Sequence, residues 1–340
     1  MITPQTRLID DPLDVSRIDR VPNPNFDRAM QAEGVTCATC HVRVDQAGES
    51  VVVASERSGR APHPVRAQPK ALRTVCHRCH DPGPGTITPT FFCWFESRRE
   101  GLAHGVKSSC VDCHMPPVNR PVAAGGPKRQ TRHHYWTGGG VPKTFAGYDS
   151  LLARDYTPGG RLEAQLRNGS VEVTFKNVAA GHHVTSGDPE RHVVVLAEAV
   201  DVSGAAKIIG TRRFGQDWDW GSLTPVRPAR RVGDSRLHAG GNARWQWAVP
   251  AGTVELQISA AHIRLTPANA AHMKHTTVPA EVRALWPEAP AAIADIENRY
   301  PMMTWFDRVT WRDGSWHRTP LTELLAESKS QKGVPAKLAR

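Results

Sequence analysis

Three copies of one five-residue pattern constrain this chain more than any other feature. Cys37-Ala38-Thr39-Cys40-His41, Cys76-His77-Arg78-Cys79-His80 and Cys110-Val111-Asp112-Cys113-His114 all read C-x-x-C-H, the spacing of covalent c-type haem attachment. Two thiols separated by two residues reach the two vinyl groups on one edge of a porphyrin, and the histidine that follows is placed beneath the iron. Each copy therefore specifies two anchors and one axial ligand, and three copies specify three covalently bound haem c groups. Paired C-x-x-C units also make zinc sites, but zinc does not require a histidine directly after each second cysteine. A disulfide framework is the weaker alternative. Cysteines two residues apart make strained bridges, and six of the seven cysteines are used by the motifs.

With 340 residues the chain is long enough for two domains that each bury a core, yet its hydrophobic fraction is only 39%. Three porphyrins supply the missing apolar material in the N-terminal part. The formal charge of +10 comes without a basic run interleaved with aromatics, since arginine is scattered over the whole length. This argues for a solvated basic surface suited to acidic redox partners or a membrane surface, and against nucleic acid. No stretch approaches the ~20 apolar residues of a transmembrane span. The first 20 residues lack the apolar segment of a signal peptide and carry Asp10, Asp11, Asp14 and Asp19. Because haem c is attached outside the cytoplasm, a periplasmic or extracellular location is expected, with an N-terminus that is processed, truncated or mis-started.

Along the chain, residues 1–33 read as an irregular, proline-containing lead-in. Residues 34–148, dense in Gly, Pro, His and Cys with no sustained period, read as a triheme domain of mostly irregular chain with short helices, one over 96–102. Alternation begins after Asn168-Gly169: 170–177, 191–201, 206–213, 243–249 and 253–265 read as strands of an antiparallel β-sandwich spanning 149–277. The fold class expected is α+β. A tail over 278–340, with helices at 279–286 and 288–299 and an aromatic-rich stretch at 302–316, is expected to pack on the body, and its last ten residues to fray.

The motifs leave the sixth iron ligand open, and its nature decides between electron carriage and chemistry. Thirteen histidines lie outside the proximal positions. His63, in Ala61-Pro62-His63-Pro64, is held in an extended loop by two prolines. His133 and His134 follow the third motif, and His182 and His183 follow the first expected strand, where a sandwich loop would reach the haem layer. His104 is the reserve. His77 and Met115 sit too close to a proximal histidine in sequence to reach the opposite face. Met273, Met302 and Met303 read as core residues, and Cys93 as a buried apolar thiol.

The segments Cys110-Val-Asp-Cys113-His114-Met115-Pro116, Arg132-His133-His134-Tyr135-Trp136-Thr137-Gly138-Gly139 and Asn177-Val-Ala-Ala-Gly181-His182-His183-Val184-Thr185-Ser186-Gly187 resemble a group of periplasmic multihaem cytochromes c. That group combines C-x-x-C-H-M-P, H-x-aromatic-x-G-G and G-H-x-x-P-T-G segments with a β-sandwich. The resemblance spans roughly residues 35–265 and implies His134 and His182 as distal ligands, with His133 and His183 as their reserves. The last segment departs from the pattern, with Thr185 in place of Pro and Ser186 in place of Thr.

Together these readings describe a triheme c-type cytochrome that passes single electrons between redox partners with acidic docking surfaces, its arginines available to haem propionates. Two alternatives stay open. One is an enzyme with an open iron acting on peroxide, nitrite or another nitrogen oxide; the other is a structural subunit of a larger redox complex or cytochrome filament.

Overall fold

In a computed structural model the described residues are 6–8, 20–22, 36–44, 46–56, 63–81, 85–86, 92–93, 96–122, 124–134, 156–223, 225–278 and 280–339. The N-terminal part is built from short pieces, as its lack of periodicity predicts. Its helices are α1 (Cys37–His41), α2 (Pro69–Thr74), α3 (His77–His80), α4 (Ser97–Ala103) and α5 (Cys110–His114). Strands β1 (Val42–Val44), β2 (Ser50–Ala54) and β3 (Val65–Ala67) form one small sheet, and β4 (Pro117–Pro121) pairs antiparallel with β5 (Lys128–Arg132). In the lead-in, read as irregular from sequence, Thr6–Leu8 pairs with Arg20–Pro22.

The C-terminal part is a sandwich of two antiparallel sheets. One has three strands, with β7 (Ser170–Asn177) between β6 (Gly160–Arg167) and β10 (Asn242–Ala248). The other has five, in the order β9 (Ala206–Phe214), β8 (His192–Asp201), β11 (Thr253–Ile263), β12 (Met303–Arg312) and β13 (Ser315–Arg318). Strand alternation puts Val171, Val173 and Phe175 of β7 on the inner face, against Val193, Val195 and Ala197 of β8 and Leu256, Ile258 and Ala260 of β11, all buried. Phe175 sits at the centre with Phe214 and Phe306 at ring distances of 5.1 and 6.1 Å.

Two features differ from the sequence expectation. Strand β6 precedes the first strand read from the sequence. Its Leu, Glu, Ala, Gln and Arg residues are good helix formers, which conceals the alternation of Leu162, Ala164 and Leu166. The Asn168-Gly169 turn, with both residues at positive φ, makes it the hairpin partner of β7. The stretch after 278, read as a helical and aromatic tail, contributes β12 and β13 to the five-stranded sheet. Its helices include Ala280–Leu285, Ala289–Ala294 and Leu321–Ser330. Leu324 of the last packs with Leu338 on the outer face of the sheet, and Lys337 pairs with Glu198 at 2.8 Å. The final residues through 339 are thus docked where fraying was expected.

Replacing Phe175 with Ala should cost about 3–5 kcal/mol in denaturant unfolding of the sandwich, because it removes a ring that neighbouring strands cannot close over. Val202, at 83% exposure, is the control: its change to Ala should stay within about 0.5 kcal/mol.

Candidate haem-binding site

Each motif forms a single helical turn, and the residues around it start that turn. In α5, Ser109 donates from its backbone N–H and from Oγ to Asp112 at 2.9 and 2.8 Å. In α1 the Thr36 N–H donates to Thr39 Oγ1 at 3.3 Å. Both use the N-cap chemistry of a short polar residue three positions before its partner. One turn places positions i, i+3 and i+4 on one face. Cys37, Cys40 and His41 therefore share a face, as do Cys110, Cys113 and His114. Cys76 has helical dihedrals at the start of α3, which extends the same placement to the second motif. The side chains of Cys79 and Cys93, and the chain from Tyr135 to 155, lie outside the described residues.

Asp112, a residue inside the third motif, ties that turn to the helix before the second motif and to the strand that leads to His134. Its carboxylate meets Arg73 of α2 at 3.2 Å and Arg132 of β5 at 3.5 Å. Arg132 also donates to the carbonyls of Val111 and Met115. The Ser109 N–H, followed by its hydroxyl and then the two arginines, holds the Asp112 carboxyl below the usual carboxylate range. The Cys76 and Cys110 thiols lie near enough to act on each other, Cys110 pushing the Cys76 thiol up and Cys76 pulling the Cys110 thiol down.

Two proximal histidines have an imidazole opposite them. The His41 and His134 ring centroids are 6.2 Å apart, and those of His114 and His182 are 6.4 Å apart with ring planes 3° from parallel. A metal midway would need a ring radius of about 1.1 Å plus a nitrogen-to-metal bond of about 2.0–2.1 Å on each side, which is close to half of either separation. In three of these rings Nδ1 is engaged with a backbone carbonyl: His41 with Val53 at 2.8 Å, His134 with Arg132 at 2.7 Å and His182 with His183 at 2.9 Å. That bond fixes the tautomer and leaves the Nε2 lone pair for a metal. Burial, with neighbouring His182 and His80, pushes His114 down, and burial likewise lowers His134. Neutral imidazole is the ligating form. The donor set therefore fits an iron held between two imidazoles. Among the described residues no three of His, Cys, Asp and Glu converge on one ion, and the described cysteines are free thiols.

The other histidines named from sequence fall elsewhere. His80 is exposed and lies near enough to His114 to affect its charge. His63 is exposed, beside a segment in which the Val52 N–H donates to the Pro64 carbonyl at 3.3 Å. That segment adjoins Val53, which anchors His41. The N–H of His133 donates to the Pro116 carbonyl. His104 stacks on His238 with centroids 4.1 Å apart and meets His183 edge-on at 5.7 Å, so two of the three reserves, His104 and His183, belong to a second imidazole group. His238, in the turn Leu237-His238-Ala239-Gly240, carried no sequence signal.

The loop bearing His182 is held from both sides. From the sandwich, buried Asn177 donates Nδ2 to the carbonyls of His182 and His238 at 2.9 and 3.0 Å and accepts from the Ala180 N–H at 3.0 Å. From α4, Glu100 accepts from the His183 N–H at 3.1 Å and the Ser186 hydroxyl at 3.0 Å, and faces His183 Nδ1 at 3.2 Å. Arg236 completes the group, donating to Glu100 at 2.7 Å, to the Thr185 carbonyl at 3.2 Å and to Asp234. Glu100 and Arg236 are 6% and 8% exposed. Sequence reasoning found neither of them, because a glutamate within a charged helix and an arginine among many are ordinary until the fold buries them together. The peptide between Val184 and Thr185, where the chain departs from the resembled pattern, is cis.

No family model matches the chain, and no curated protein matches it. Among solved structures the chain is similar to a penta-heme cytochrome c552 from Thermochromatium tepidum, at 19% identity over 74% of each chain and a TM-score of 0.49.

Burial alone would raise the Glu100 carboxyl; the His183 hydrogen bond, the Arg236 and His183 charges and Ser186 outweigh it and hold the group at about 2, against an ordinary 4.5. A depressed carboxylate contributes stability that is fully present above the ordinary value and lost as pH falls through the folded value. The difference in unfolding free energy between the native chain and Glu100→Gln should therefore be constant above about pH 5 and shrink steadily toward pH 2, measured by denaturant titration at each pH.

Proposed function

We propose that this chain is a triheme c-type cytochrome that carries single electrons between redox partners. The observation that carries the reading is the pairing of motif histidines with imidazoles from distant segments at the separation one iron requires. Cys37, Cys40, Cys76, Cys79, Cys110 and Cys113 would anchor the three groups, and His41, His80 and His114 would be their proximal ligands. His134 is assigned opposite His41 and His182 opposite His114. His63, in its proline-held loop, is assigned to the second motif.

Haem, when bound, supplies a one-electron couple. The residues of this chain do the rest. Two imidazoles per iron leave no position for a substrate, which favours carriage over catalysis. The carbonyls of Val53, Arg132 and His183 hold the ligating rings in one tautomer and orientation. The nearness of Cys76 and Cys110 would bring the second and third attachment sites close, a short path for transfer within the chain.

Charge suggests the kind of partner. In the β4–β5 hairpin Arg120 stands directly opposite Arg129, with Lys128 at the next position. Like charges in register destabilise a hairpin, and from Cys113 to Tyr148 the sequence has no acidic residue. An acidic protein surface docking beside His134 would offset that repulsion. Covalent haem attachment places the mature protein in the periplasm or outside the cell.

Denaturing mass spectrometry of protein matured with haem should find three groups retained, and the oxidised spectrum should be low-spin throughout. His134→Ala and His182→Ala should each convert one haem of the three to high spin. A chain that retains no haem on denaturation, or a native high-spin centre that binds cyanide rapidly, would overturn the reading.

A further inference from the structure

Helix α4 belongs to the N-terminal part, whereas the loop carrying His182 belongs to the sandwich, and the two meet at one buried carboxylate. Glu100 receives the backbone N–H of His183, the residue directly after His182, and the hydroxyl of Ser186. It is fixed in turn by Arg236, whose side chain is 1% exposed and which also grips the Thr185 carbonyl. Ser186 is further tied to Ser97 at the start of α4, at 2.5 Å. One step along the helix, Gly101 lies so close to the loop that a Cβ there would stand 2.5 Å from the Gly181 carbonyl oxygen. Hydrogen bonds and close backbone approach thus bracket His182 on both sides, at residues 181 and 183. The third motif that carries His114 follows α4 by a few residues in the same chain segment.

We propose that Glu100 is a positioning residue: clamped by Arg236, it sets the height and orientation of the 181–186 loop so that His182 reaches the iron opposite His114. Loops are the mobile part of a sandwich, and a ligand displaced by one ångström is lost from coordination. A carboxylate that accepts from the loop's own backbone specifies position in a way that apolar packing cannot. Arg236 keeps that carboxylate charged in a buried place. The inference rests on the reading of His182 as an axial ligand.

The test uses protein matured with haem and compares Glu100→Ala, Glu100→Gln, Gly101→Ala and His182→Ala. In Glu100→Ala and Gly101→Ala all three haems should remain covalently attached by mass. One of the three should pass from low to high spin in the electron paramagnetic resonance spectrum and bind carbon monoxide when reduced. Added imidazole should restore the low-spin signal, as expected for a lost ligand and not for a lost pocket. Glu100→Gln keeps one oxygen at the place where the His183 N–H and the Ser186 hydroxyl both donate, at the expense of the Arg236 contact, and should retain more of the low-spin signal than Glu100→Ala. Gly101→Ala changes no charge, so it carries the test if Glu100→Ala fails to accumulate. Low-spin spectra in both Glu100→Ala and Gly101→Ala, with a high-spin centre in His182→Ala, would overturn the positioning role and leave the ligand assignment standing. A fully low-spin His182→Ala would overturn the assignment itself. Conversion of all three centres in Glu100→Ala and Gly101→Ala would mark general unfolding and also count against the proposal.

Discussion

An iron in a porphyrin has two faces, and a C-x-x-C-H turn can serve only one of them. The second ligand must come from another part of the chain, and that requirement organises this fold. The strand that follows the third motif returns the His134 ring to within 6.2 Å of that of His41, and the sandwich brings His182 within 6.4 Å of His114, the placements a second ligand would need. Neither pairing is local, so each closes a long loop whose entropic cost grows only slowly with length. Geometry is the harder demand, since each ring must arrive at the right distance and in the right tautomer. Backbone carbonyls at Val53, Arg132 and His183 meet that demand at the level of single hydrogen bonds.

The sequence made one half of this arrangement plain. The thiols and proximal histidines are adjacent in sequence, so their chemistry can be read without a fold, and strand alternation in 170–177 and 253–263 exposes the sandwich in the same way. Strand β6 escaped because its residues favour helix, and β12 because its aromatic run, Trp305 to Trp311, reads equally as a packed tail. His134 and His182 were each part of a doublet, and spacing cannot choose between neighbours. The structure separates each doublet: His134 and His182 face motif histidines, whereas the backbone of His133 bonds Pro116 and His183 turns to Glu100. His63 had only its prolines to recommend it, and no ring of a motif histidine stands opposite it among the described residues.

Glu100 and Arg236 illustrate what periodicity cannot reveal. A buried ion pair is a poor source of stability, because desolvation consumes most of the attraction, and its better attested use is to fix one arrangement among several. Here the pair sits where two dissimilar structures meet. One side is a module of short turns with few buried side chains of its own, for which haem would be the core on the proposed reading. The other is a sandwich packed around Phe175 without help from any cofactor. Apolar contact between such surfaces would tolerate sliding. Three directed hydrogen bonds to one carboxylate, from the His183 N–H, the Ser186 hydroxyl and Arg236, do not.

This division assigns different work to the two parts. The sandwich can hold its shape whatever the state of the haems, so a ligand mounted on it has a fixed reference. On the proposed reading the N-terminal turns would gain their order from attachment and ligation, and so would depend on that reference. Asp112 plays a matching part inside the module, where Arg73 and Arg132 tie the helix preceding the second motif and the His134 strand to the third motif. Glu100 then ties that assembled unit to the sandwich. Two carboxylates, one half-buried within the module and one buried at its boundary, hold the segments that carry His134 and His182 in place, the contacts on which the proposed axial ligation would depend.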